Sequence, residues 1–223
     1  MKKEEYLTWM TFPLKSAILK KYPQGNIRQY WSESPELYSE AFGYTDDFHL
    51  HLGGHSGLDI ATFEGEEVLA CQSGKVVHVV LDVKNVGGNQ VFIESPVLED
   101  TEPVVIKHVY AHLKDVLVQK GQEVVKGQVI GHEGNTGFVV AGGTPFWGNA
   151  PAGEGVHLHF GMYELIQKSG VWTIKYEAMM GSFDPLPWFT DSNPNDEKIE
   201  GNWGGTISVL QKMIELLMKW KRS

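Results

Sequence analysis

The chain of 223 residues contains a single cysteine, Cys71. A disulfide within the chain is therefore excluded, as is a structural zinc site built on several thiolates. No run of 18 or more apolar residues occurs, so no helix of membrane-spanning type is expected. The opening MKKEEYLTWMTFPLK has two Lys followed by two Glu and lacks the apolar stretch of a secretory signal. Basic residues are in the minority. Lys+Arg number 19 against 28 Asp+Glu, a formal charge of −9, which argues against nucleic acid or an anionic membrane as the main partner. Common active-site signatures are missing as well: no His-Glu-x-x-His helix, no Gly-x-Ser-x-Gly elbow, no phosphate loop and no dinucleotide fingerprint.

What is present is enough apolar material for a core, 42% of residues, with 25 Gly to break the chain into short segments. Any metal site must draw on the nine His and on carboxylates. Four zones emerge. Residues 1–48 form an irregular N-terminal extension packing on the core, with a short helix expected over Ser34–Ala41, where Ser34 can cap and Pro35 can start it. Residues 49–190 are strand-rich. Val68–Cys71, Gly74–Leu81, Asn89–Glu94, Val104–Leu113, Glu123–Val129 and His157–Glu164 read as strands separated by glycine turns. No helical pattern lies between them, which predicts a mainly β, antiparallel sandwich or open barrel-like core and not a parallel βαβ fold. Residues 138–156 read as a long Gly/Pro/Ala-rich loop carrying Phe146 and Trp147. Residues 191–205 read as a linker. In residues 206–223, Ile207, Leu210, Met213, Ile214, Leu217 and Trp220 recur at the spacing of an amphipathic helix. Such a helix needs a surface to cover its apolar face, so it is expected to pair with itself, with the domain, with a partner protein or with a membrane surface.

Three clusters can carry chemistry. His157-Leu158-His159 on a strand points both imidazoles to one face, which suits a metal ligand beside a base, or simply a polar surface pair. In GGHSGLDIA, His55 and Asp59 flank Gly57; Asp59 entering an apolar strand is costly unless paired or ligating, or it caps a turn. Tyr110 and His112 are expected to share one strand face, His112 serving either as a catalytic group or as a buried histidine bonded to backbone. Cys71, between apolar residues, reads as a buried small hydrophobe.

Taken in order, Phe42-Gly43-Tyr44, His55-Ser-Gly-Leu-Asp59, Gly88-Asn89, Tyr110-Ala-His112-Leu113, Gly127-Gln-Val-Ile-Gly131, Gly134-Asn-Thr-Gly137 and His157-Leu-His159-Phe160 resemble the lysostaphin/LytM-type zinc metallopeptidases, over about residues 42–164. The resemblance implies a core of the duplicated-hybrid-motif type and one zinc per chain, held by His55, Asp59 and His159. It implies that His112 and His157 assist catalysis, with His112 favoured as base and His157 as stabiliser of the oxyanion. It implies hydrolysis of peptide bonds in peptidoglycan stem peptides or cross-bridges by a zinc-activated water. Tyr110, Asn135, Thr136, Phe146 and Trp147 are the candidate substrate contacts. Relatives pass from the Gly-Asn-Thr-Gly turn to His-Leu-His within a few residues; here the 138–156 segment intervenes, expected on the cleft rim. His49 and His51 read as surface or core residues.

Two other readings compete. One is a non-catalytic wall-binding, regulatory or virion structural protein that keeps the fold. The other, a lipoyl/biotinyl-type carrier suggested by Val125–Gly131, lacks the modified-lysine turn. The expected site of action is the bacterial cell wall, reached as a phage or virion lysin, by an unusual export route, or as a trimmed secreted protein.

Overall fold

A computed structural model describes residues 1–8, 10–21, 25–33, 54–177 and 179–189. The expected helix over 34–41, His49, His51, the 191–205 linker and the C-terminal helix lie outside the described residues.

The chain starts with a short helix, α1 (Lys3–Thr8), followed by β1 (Ile27–Gln29), β2 (Leu58–Ile60), β3 (Glu67–Leu69), β4 (Gly74–Val80), β5 (Asn89–Glu99) and β6 (Glu102–Leu113). Then come β7 (Asp115–Val116), β8 (Glu123–Val124), β9 (Val129–His132), β10 (Thr136–Ala141), β11 (Thr144–Asn149), β12 (Leu158–Lys168), β13 (Val171–Ile174) and β14 (Ser182–Phe183). The large sheet runs β1-β2-β12-β6-β5-β4-β8, with β13 and β14 also paired to β12. A small sheet runs β3-β9-β7, and β10 pairs with β11. All these strand pairings are antiparallel. The mainly antiparallel β reading therefore holds. The segment expected as one strand over Glu123–Val129 is two short strands, β8 and β9, separated by the Gly127 turn.

Alternation along the strands separates two faces. On β6, Ile106, His108 and Tyr110 are wholly buried, and on β12 Leu158, Phe160 and Met162 are as well. These side chains form the core with Val68 and Ile130 of the small sheet. The other face of the same strands, Lys107, Val109, Ala111, His159, Tyr163 and Leu165, lines a cleft. Tyr6, Leu7, Met10, Phe12 and Leu14 of the N-terminal segment are buried in the same core. The buried Glu164 carboxylate fixes that segment: it accepts from Lys3 at 3.1 Å, from Lys175 at 3.0 Å and from the Tyr176 hydroxyl at 3.1 Å. Such a buried carboxylate is tolerable because it is fully paired.

Residues 138–149 are not a loop. Val139 pairs with Phe146 and Ala141 with Thr144, so β10 and β11 form a hairpin closed by Gly142 and Gly143. Both glycines have positive φ, 53° and 81°. A two-residue turn of this type requires that conformation at both positions, and glycine adopts it without steric cost.

Candidate functional site

Asp59 is the middle residue of β2, between β1 and β12. Its register partners are Gln29 on one side and His159 on the other. His55 precedes the strand and is held by backbone bonds: its amide donates to the Glu33 carbonyl at 3.1 Å, and its carbonyl accepts from the Ser32 amide at 2.8 Å. The His55 Nδ1–H donates to the Tyr30 carbonyl at 3.1 Å. That bond fixes the tautomer and leaves the Nε2 lone pair facing the site.

Three donor atoms converge there. His55 Nε2 lies 3.0 Å from His159 Nδ1 and 3.1 Å from Asp59 Oδ1, and His159 Nδ1 lies 3.0 Å from Asp59 Oδ1. The residues are the His/Asp group able to hold a metal among the described residues. A tetrahedral zinc with bonds of about 2.0–2.1 Å sets ligand edges of about 3.3–3.4 Å, within a few tenths of this triangle. Three electron-rich atoms at such distances need a positive charge among them, so the donor set fits a cation.

The electrostatics fit at Asp59 and His159, whereas at His55 burial works to lower the imidazole but the Asp59 carboxylate outweighs it and raises the group. Burial works to raise the Asp59 carboxyl, but His55, His157 and His159 outweigh it and hold the group well below the usual carboxylate range. Burial is also the main influence on His159, which is lowered despite its bond to Asp59. A carboxylate and a neutral imidazole are the forms that bind zinc.

The structure brings the other two expected histidines to the same place. The rings of His112 and His157 are 4.5 Å apart, and His112 is 6.3 Å from the His159 ring. His157 Nε2 is 3.7 Å from Asp59 Oδ2, and its Nδ1–H donates to the Gly155 carbonyl at 2.9 Å. His112 Nδ1–H donates to the Thr136 carbonyl at 2.8 Å, leaving Nε2 as the acceptor. Burial, reinforced by His157 and His159, lowers its pKa to about 3, so the ring is neutral at physiological pH.

His112 reaches the cleft by an irregularity. Between Asn89 and Val91 the register of β5 against β6 slips by one, because Leu113 and Tyr110 are three apart where their partners are two apart. This bulge inserts one residue into β6, and His112 takes φ 62°. A non-glycine residue there is strained by about 1–3 kcal/mol, and its amide bond to the Gly87 carbonyl at 2.8 Å helps hold it. The expectation that Tyr110 shares the face of His112 is therefore corrected. Tyr110 points into the core, wholly buried, and its hydroxyl accepts from the Cys71 amide at 2.8 Å. Cys71 is buried, as expected, and burial pushes its thiol up.

The remaining candidates stand one layer behind the cleft or on its rim. The Asn135 amide donates to the carbonyls of Pro151 at 3.0 Å and Glu154 at 2.9 Å, tying the base of the hairpin. The Thr136 hydroxyl donates to the Leu113 carbonyl at 2.8 Å and accepts from the Asn89 amide at 3.0 Å. Both residues are buried, so neither presents its side chain to a substrate. Phe146 is half-buried on the hairpin, and Trp147 is 58% exposed.

Two supports were not expected from sequence. The Tyr30 carbonyl orients His55 but leaves no side-chain signal. Gly57 does leave one, a glycine between two ligands: a Cβ there would lie 2.7 Å from His159 Cε1 and Nε2. The cleft around these groups measures about 1280 Å³, roomier than the ~300–1,000 Å³ usual for small ligands.

Among curated proteins, the murein hydrolase activator NlpD of Escherichia coli K12 is 31% identical over 98 residues, 41% of this chain and 22% of that protein. NlpD of Salmonella typhimurium gives the same identity and coverage. The chain thus spans 22% of the length of these curated relatives. Among solved structures, the catalytic domain of the antimicrobial peptidase lysostaphin from Staphylococcus simulans is 28% identical with a TM-score of 0.40, covering 61% of this chain and 79% of that one. A zinc-containing peptidase from Vibrio cholerae is 23% identical with a TM-score of 0.44, covering 79% of this chain and 40% of that one. The model of Peptidase family M23 matches residues 53–171, which span β2 to the start of β13 and contain all five clustered His and Asp side chains. By that match, over more than half of its length, the chain belongs to Peptidase family M23.

Proposed function

We propose that this protein is a zinc-dependent endopeptidase that hydrolyses peptide bonds of peptidoglycan stem peptides or cross-bridges at the bacterial cell wall. The observation that carries the reading is the triangle of His55, Asp59 and His159 donor atoms with sides of 3.0–3.1 Å, set beside two further histidines. A zinc ion bound there supplies Lewis acidity, acidifying water and polarising a carbonyl. His112 is the base in this scheme. Its Nδ1 proton is committed to Thr136, so Nε2 takes the proton from the attacking water and returns it to the leaving amine. His157, beside His112 and Asp59, assists the developing oxyanion in this scheme.

A second reading is a regulator of other wall hydrolases, favoured by the name of the curated relatives, murein hydrolase activator. Metal content by elemental analysis, with amine release from purified peptidoglycan with and without chelator, separates the two. One zinc per chain with chelator-sensitive release is the expected result. Zinc without release, together with faster hydrolysis by an added wall amidase, supports the regulator.

A further inference from the structure

Beyond Thr136, whose carbonyl orients His112, the catalytic scheme makes no use of the β10–β11 hairpin. On it, the cross-strand partners Phe138 and Trp147 pack ring against ring at 4.6 Å, tilted by 45°. Phe138 lines the cleft, whereas Trp147, 58% exposed, carries the aromatic surface past the rim. A large aromatic left in water at a cleft mouth costs solubility and signals a contact surface. The surface is also preformed. The two-glycine turn closes its tip, Asn135 ties its base, and the Phe138 amide donates to the Val86 carbonyl at 2.8 Å.

The chemistry differs across the cleft. The metal-site residues follow the sheet order β2, β12 and β6, with β1 on one side and β5 on the other. On the β1 side stand Arg28 and the Lys21–Glu33 ion pair. On the side of Phe138 the neutral amides Asn85 and Gln90 stand beside the hairpin, with Glu154 and the Lys107–Glu94 ion pair elsewhere on that wall. Gln90 Nε2 donates to Asn85 Oδ1 at 2.8 Å, which leaves Asn85 Nδ2 as donor and Gln90 Oε1 as acceptor. A stem peptide carries carboxylates and suits the charged side. A donor and an acceptor beside an aromatic face match the carbonyl and N–H of an acetamido group on a flat, uncharged pyranose ring, whose C–H face is attracted to the negative face of the aromatic ring.

We propose that Phe138 and Trp147 form a subsite for the N-acetylhexosamine chain to which the stem peptide is attached. The proposal rests on the peptidoglycan reading above, and deepens it by placing the glycan on the hairpin side of the site.

The test is calorimetric titration of the full chain with the β-1,4-linked tetramer of N-acetylglucosamine. Calorimetry is preferred because seven Trp would blur a fluorescence signal. Saturable binding of the tetramer is expected, weakened about fivefold or more in Trp147→Ala and in Phe138→Ala, and restored in Trp147→Tyr. Val171→Ala, which trims another exposed apolar side chain, should bind like wild type. No saturable binding by the wild type, or equal binding by Trp147→Ala, overturns the proposal. So does a Trp147→Ala variant that loses affinity for a glycan-free stem tetrapeptide and not for the sugar. Amine release is measured on the same preparations. Sugar binding without release sinks the peptidase reading and keeps the subsite; release without sugar binding does the reverse.

Discussion

Gly57 lies so close to the imidazole of His159 that a single added carbon would reach within 2.7 Å of its Cε1 and Nε2 atoms. The same carbon would meet the Phe160 carbonyl at 2.7 Å, so the backbone on that side offers no room to retreat. Gly57→Ala should therefore turn or push the His159 ring and open the donor triangle. The expected outcome is a folded protein with zinc affinity reduced about tenfold or more, in the range seen when the support of a ligand is disturbed. Competition with a chromophoric chelator measures it, and unchanged affinity would contradict the close packing.

The roles assigned to the histidines divide into two measurable classes. His55→Ala and Asp59→Ala should each abolish stoichiometric zinc. His112→Ala should keep one zinc per chain and lose about 10²–10⁴ in turnover, the usual contribution of a positioned base. Loss of zinc in His112→Ala would move that residue into the ligand set.

His108 predicts an acid-sensitive core. The ring is wholly buried against Tyr6, Tyr110 and Phe160, and among the described residues neither nitrogen has a hydrogen-bond partner. Burial lowers its pKa to about 3. Between that value and the ordinary 6.5, the unfolded chain binds a proton that the folded chain refuses. Stability from this group is full above pH 6.5 and is lost as pH falls toward 3, on the order of 5 kcal/mol. His108→Leu should flatten the acid limb of a denaturation series. It should also stabilise the fold near pH 7 by about 1–2 kcal/mol, since it removes unsatisfied polar atoms at similar volume.

Glu133 acts in the opposite direction. Its buried carboxyl and that of Glu66 both contact the Thr62 hydroxyl, which has one proton to give. Burial raises Glu133 to about 7, with the Glu66 charge adding to it. The folded state thus holds a proton that the unfolded chain releases near pH 4.5. The associated stability is full below pH 4.5 and is lost as pH rises through 7, on the order of 3 kcal/mol. Glu133→Gln imitates the protonated acid, so its thermal midpoint should change less between pH 5 and 8 than that of the wild type. Parallel slopes for the two proteins would place the proton elsewhere.

Parts of this molecule could be read directly from the chain. His159 lies on β12 and His157 just before it, and both line the cleft as alternation predicts, while β-branched runs announced most strands. His55 and Asp59 were legible only through the family pattern, since their approach to His159 comes from pairing of β2 with β12 across 100 positions. Alternation misled at Tyr110 and His112, because the bulge that separates them is defined by the partner strand, at Asn89–Val91. The hairpin was missed although Phe138-Val-Val-Ala141 and Thr144-Pro-Phe-Trp147 flank two glycines, a hairpin signature hidden in a glycine-rich stretch. Asn135 and Thr136 are polar residues next to the site, yet their bonds go to neighbouring carbonyls, a use that only tertiary structure reveals.

The hairpin leaves the domain and returns to it at one point, because Thr136 faces Asn149 in the β10–β11 ladder. His159 on β12 and His157 just before it consequently do not sense how long the excursion is. Residues can be removed or added at its tip in cross-strand pairs without altering the spacing of the histidines. The arm is thus an exchangeable attachment, one that mutation or an engineer can lengthen, shorten or re-face while the histidine cluster stays untouched.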